Sequence, residues 1–203
     1  MTTDDIGFLG PAPESSAADR LFAHDREMFG FVMNLSRVWA HQPEVHDELF
    51  ALFGRAAEAS GLTFRERSVL ISALASTMRD PHCSLAWGTR LAGAAGEDVA
   101  IAVLRGGDAG LEPGERALAA WARQLARDPN GTTSADVEAL RAVGYDDGQI
   151  VALTAFVALR IAFSTVNDAL GARPDGELAG AAPEGVRTAV TFGRPVAGTP
   201  RPA

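Results

Sequence analysis

The sequence predicts an all-α fold, and three observations carry that reading. Apolar residues recur at helical spacing along most of the 203 residues. Gly, Pro, Asp and Thr punctuate those segments where helices start and stop. No segment shows the strict apolar–polar alternation of a half-buried strand.

In chain order, residues 1–18 read as a poorly ordered arm, acidic and Pro-containing. Residues 19–178 read as one helical domain, and 179–203 as a flexible tail rich in Gly, Ala and Pro. Leu21, Phe22, Met28, Phe29, Leu35 and Val38 carry helical spacing, broken at Gly30 and Pro43. Glu44 to Ala59 forms the next helix, with Val45, Leu49, Leu52 and Phe53 on one face and Gly61 ending it. Thr63 with Glu66 three residues on is the capping-box signature for a helix to about Met78. Asp80 and Pro81 open a helix to about Ala95, which Gly96 stops. A short helix follows from Glu97 to Arg105, and another from Glu112 or Pro113 to Arg127. After the turn Asp128-Pro129-Asn130-Gly131, helices run to Val143 and from Asp146 or Asp147 to Leu170. The last is apolar on most sides, as a buried or subunit-interface helix is. Arg160 and Asn167 are its polar exceptions, and Arg160 reads either as a snorkelling or ion-paired side chain or as a substrate contact.

A repeat is visible at an offset of 49 residues, since Gly61-Leu62-Thr63-Phe64-Arg65-Glu66-Arg67 matches Gly110-Leu111-Glu112-Pro113-Gly114-Glu115-Arg116 (110 − 61). It reflects either an internal duplication of helical units or two helix starts with the same capping grammar.

Composition narrows the chemistry. The chain is long enough for a proper core, and its net charge of −8 argues against nucleic acid and anionic membrane surfaces. All 18 basic residues are arginine, which excludes a Schiff-base lysine and a P-loop lysine. No phosphate-binding glycine motif is present, and no cofactor is expected. His24, His41 and His46 show no metal-ligand pairing and read as surface residues, so no metal is expected. One cysteine cannot form an internal disulfide, which makes the cytoplasm the default compartment. The N-terminus has no signal-peptide pattern, and no apolar run suggests a membrane span.

That cysteine, Cys83, falls in the first turn of the Asp80-capped helix, beside His82. Helix N-termini favour negative charge, so a thiolate is stabilised there. A protonated His82 helps, whereas the Asp80 carboxylate raises the thiol pKa. The alternative is a small buried cysteine and a surface histidine.

The ordered pattern resembles the AhpD-like, or carboxymuconolactone decarboxylase, superfamily, in its peroxidase-related branch, over about residues 28 to 178. The pattern is Leu62-Thr63-x-x-Glu66-Arg67, then His82-Cys83, then Leu111-x-x-x-Glu115-Arg116, Leu140-Arg141-x-x-Gly144-Tyr145, and a long helix ending Asn167-Asp168-Ala169-Leu170-Gly171. The resemblance implies an AhpD-like helical domain. Family peroxidases carry Glu, then Cys-x-x-Cys, then His four residues later, with the second cysteine attacking peroxide and the first resolving it as a disulfide. Carried over, the attacking cysteine is Cys83, and His82 matches a His that precedes it in some members. The resolving cysteine falls on Asp80, the later His on Trp87, and the Glu on Ser68, two residues from Glu66. The disulfide step is therefore unavailable to this chain.

Three readings follow. In the first, Cys83 is oxidised to sulfenic acid and reduced by an external thiol, with His82 lowering its pKa. In the second, Asp80, His82 and Glu66 run acid–base chemistry on a small organic substrate, Ser68 and Trp87 line the pocket, and Arg90 holds a carboxylate. In the third, the chain is a non-catalytic relative whose pocket Trp87 closes. The partners implied are a small-molecule substrate (a peroxide or small organic acid), an external thiol reductant and other copies of the chain, since the family forms trimers and hexamers.

Overall fold

A computed structural model of the chain describes residues 6–199. Among the described residues every regular element is helical: α1 Ser16–Phe29, α2 Asn34–Trp39, α3 Pro43–Ser60, α4 Phe64–Met78, α5 Pro81–Ala95, α6 Glu97–Leu104, α7 Pro113–Arg127, a 3-10 turn Pro129–Gly131, α8 Ser134–Ala142, α9 Asp147–Ala169, α10 Gly176–Ala181 and α11 Glu184–Ala189.

The punctuation residues do what their chemistry dictates. Thr63 accepts from the Glu66 N–H while the Glu66 carboxylate accepts from the Thr63 N–H, closing the capping box of α4. Asp146 and Gln149 do the same for α9. Glu115 accepts from the Glu112 N–H at the start of α7. The two matched heptapeptides thus open α4 and α7. These helices pack against each other, and Arg65 of the first grips Glu115 of the second through Nε and Nη2, at 2.5 and 3.1 Å.

The axis of the fold is α4, where Ser68 to Ala75 are all buried. One side, with Leu70, Ile71 and Leu74, joins Phe53 of α3, Trp121 of α7 and Phe156 and Phe163 of α9 in the larger core. The other side, with Val69 and Ala73, joins Leu85 and Leu91 of α5, Val103 and Leu104 of α6 and Val186 of α11. Gly88 makes this second contact possible, because a Cβ there would lie 2.8 Å from Leu104 Cδ1 and 3.0 Å from Val186 Cγ1. Gly88→Val is expected to cost about 2 kcal/mol by overpacking, read as a lower urea midpoint at unchanged slope.

Three expectations need correction. The first concerns the long helix α9, which buries Leu153, Phe156, Val157, Arg160 and Phe163 and leaves Val151 70% exposed. Its length and composition do suffice for a membrane span, contrary to the sequence reading. Its inner face nevertheless packs on α3, α4 and α7 and carries buried Arg160, Ser164 and Asn167. At the N-terminal arm, residues 1–5 lie outside the described residues, but Phe8 donates to the Leu170 carbonyl and α1 already begins at Ser16. The tail stretch is structured over its described part. α11 buries Val186 and Ala189, and Arg173 donates to the carbonyls of Pro195, Val196 and Thr199.

Candidate active site

The site begins with a tight reversal between α4 and α5. Arg79 adopts a left-handed conformation (φ 63°), which ends α4 and lets the Asp80 N–H donate back to the Ala75 carbonyl. Asp80 then caps α5. Its Oδ1 accepts from the Cys83 N–H at 2.8 Å, and its Oδ2 accepts from the Ser164 hydroxyl of α9 at 2.6 Å. Pro81 takes the first helical position, where no N–H is needed. This fully buried carboxylate fixes the first turn of α5 against α9.

Cys83 is 2% exposed. The Arg160 Nη2 donates to its sulfur at 3.5 Å, and the Ser164 hydroxyl lies 4.0 Å away. The Arg160 guanidinium sits 5.0 Å from the centre of the Phe53 ring, 5.3 Å from Phe163 and 5.7 Å from Trp87. It makes no ion pair among the described residues, and its buried Nε has no hydrogen-bond partner. The side chains of His82, Cys83, Trp87, Arg90 and Arg160 line a cavity of about 730 Å3, whose remaining walls include Met28, Phe29, Phe50 and Phe163.

Electrostatics here run against the local expectation for a helix N-terminus. Burial raises the Cys83 thiol pKa above its ordinary value, and the Asp80 carboxylate adds to that, while Arg160 pulls it down. Burial lowers the His82 pKa to about 4, so the imidazole is neutral near pH 7 and supplies no charge to the thiol. Its Nδ1 lies 3.7 Å from Asp175 Oδ2, and burial raises the Asp175 pKa to about 7. The resting thiol is therefore protonated, with one guanidinium aimed at its sulfur. Asp80→Asn removes the carboxylate that opposes thiol ionisation. Its expected result is a shift of the Cys83 alkylation–pH profile to lower pH.

Solved structures of three proteins share this architecture. One, the alkylhydroperoxidase AhpD core, is an uncharacterized peroxidase-related protein from Ralstonia eutropha JMP134. It is 24% identical, with a TM-score of 0.69 over 85% of this chain and 94% of that chain. An uncharacterized peroxidase-related protein from Silicibacter sp. TM1040 is 20% identical, with a TM-score of 0.71 over 86% of this chain and 92% of that one. The fold is AhpD-like. The debrominase Bmp8 is 14% identical, with a TM-score of 0.68 over 89% of this chain and 96% of that one. A cysteine-to-alanine variant of Bmp8, solved in complex with 2,3,4-tribromopyrrole, has a TM-score of 0.66. No family model matches the sequence, and no curated protein matches it.

Within the AhpD-like frame, the expected site residues divide. Cys83, His82, Trp87 and Arg90 come together at the cavity. Asp80 touches the site from behind, as the cap of α5 and the partner of Ser164. Glu66 does not reach the cavity: its carboxylate closes the α4 capping box, 3.4 Å from the Tyr145 hydroxyl. Ser68 does not line it either, since its hydroxyl is buried and donates to the Phe64 carbonyl within α4. Trp87 forms one wall and leaves the cavity open. His46, expected at the surface, is buried and stacks on Phe50 at 4.2 Å. The residues that sequence reasoning missed are Ser164 and the role of Arg160. The signal for Arg160 was present: it is the sole basic residue on a 23-residue apolar helix.

Proposed function

We propose that the chain is a one-cysteine, thiol-dependent oxidoreductase. The observation that carries this reading is the Cys83 sulfur in the cavity wall, 3.5 Å from a buried guanidinium that has no carboxylate partner among the described residues. Negative charge developing on sulfur during attack falls directly onto Arg160, in a water-poor site where such a contact is strongest. A resting neutral thiol ionises only as the reaction proceeds.

With an organic hydroperoxide, the sulfur attacks the distal peroxide oxygen and the O–O bond breaks. The thiol proton passes to the alkoxide, leaving Cys83 sulfenic acid and an alcohol. An external thiol then forms a mixed disulfide and releases water. A second external thiol restores Cys83 and leaves as a disulfide. The same sulfur has a second reading in the aromatic-walled cavity, favoured by the likeness to a debrominase. The sulfur takes bromine from a brominated ring and the ring carbon gains the proton; one external thiol displaces bromide to form a mixed disulfide, and a second restores Cys83 and leaves as a disulfide.

Steady-state consumption of cumene hydroperoxide or of a brominated pyrrole with dithiothreitol tests the proposal. Turnover of either, lost in Cys83→Ser, supports thiol chemistry. Turnover of neither, or turnover that survives Cys83→Ser, contradicts it.

A further inference from the structure

Three guanidinium groups surround the Trp87 ring: Arg90 at 4.8 Å from its centre, Arg160 at 5.7 Å and Arg67 at 5.9 Å. None has a carboxylate partner among the described residues, although the chain carries a net charge of −8. The buried Nε atoms of Arg67 and Arg160 have no hydrogen-bond partner. Clustering like charges beside one another is unfavourable unless an opposite charge joins them. Burial and the neighbouring Arg160 both lower the Arg90 pKa, as expected of a cation left without its counter-ion.

Arg90 and Arg160 line the cavity, and Arg67 adds charge from outside it. The other walls include Met28, Phe29, Phe31, Met33, Phe50 and Phe163. The acidic side chain on the lining, Glu177, belongs to an exposed residue of the short helix α10. From this arrangement we infer that the cavity takes an apolar organic acid as its anion, with the charged head between Arg90 and Arg160 and the apolar body against the aromatic and methionine walls. Such a ligand supplies the missing negative charge and covers apolar surface in one step. The head would lie between Arg160, which donates to the sulfur at 3.5 Å, and Arg90, which follows Cys83 about two turns along the same face of α5. This inference narrows the substrate class of the proposed thiol chemistry to apolar acids that themselves carry the hydroperoxide or carbon–bromine bond, and it rests on that reading only in calling the ligand a substrate.

Calorimetric titration of the full chain with 2-naphthoate and with its uncharged analogue 2-naphthamide tests it. Wild type is expected to bind the naphthoate at least about tenfold more tightly than the amide. Arg90→Met is expected to erase that preference. Arg141→Met removes the same charge from a surface ion pair and is expected to keep it. Added sodium chloride is expected to weaken naphthoate binding and leave amide binding unchanged. Equal affinity for the two probes, binding of neither, or a preference that survives Arg90→Met would overturn the inference. The thiol assay separates the two claims. Hydroperoxide turnover without a naphthoate preference removes the anion site alone, and a naphthoate preference beside an inert thiol removes the redox reading alone.

Discussion

Arg160→Met is expected to slow oxidation of Cys83 by an organic hydroperoxide about a hundredfold, the usual loss when a single preorganised donor to a developing charge is removed. Arg160 donates to the sulfur at 3.5 Å and is the cation that lowers the thiol pKa. Methionine fills similar space among Phe53, Trp87 and Phe163 but donates nothing and carries no charge. Stability should change little, by about 1 kcal/mol or less. The lost cation–π contacts are offset by relief of a buried charge that has no carboxylate partner among the described residues. Stopped-flow oxidation together with urea unfolding reads both effects. A variant that unfolds easily yet reacts normally would make Arg160 a structural residue and remove it from the chemistry.

Cys83→Ala is expected to abolish peroxide-dependent turnover, because no other thiol exists in the chain to take its place. The fold should persist at a cost of about 1 kcal/mol, since the change trims one buried sulfur. Asp80 keeps both of its hydrogen bonds in this variant, because the one from residue 83 comes from the backbone. Acid–base chemistry in the same cavity would survive the substitution, so full activity in Cys83→Ala would favour that alternative. Circular dichroism and the turnover assay on one preparation separate lost folding from lost chemistry.

Much of this architecture is legible along the chain, for local reasons. The bounds of α4 and α5 follow from Thr63, Glu66, Asp80 and Pro81, whose capping works within a few residues. The same locality explains Glu66: its carboxylate is already committed to the cap three residues away. What the chain hides depends on tertiary register. Arg160 lies 77 residues from Cys83, and only the packing of α9 beside α5 puts its guanidinium on the sulfur. Ser164, one turn further along α9, meets Asp80 for the same reason. The stretch beyond residue 179 shows no period because its helices are short, and Arg173 anchors it through backbone carbonyls, which leave no trace in side-chain pattern. The direction of the thiol pKa was hidden too. A helix N-terminus is visible in sequence, whereas the burial that outweighs it is not.

The central claim is that Cys83 reacts in the native protein with help from Arg160. The most direct measurement is mass-spectrometric detection of dimedone-trapped sulfenic acid after a stoichiometric dose of cumene hydroperoxide, on wild type and Arg160→Met side by side. The account predicts a dimedone adduct on Cys83 in folded wild type and far slower formation in the variant. A thiol that forms no adduct until the protein is unfolded would contradict it, and Cys83 would then be part of the core and nothing more.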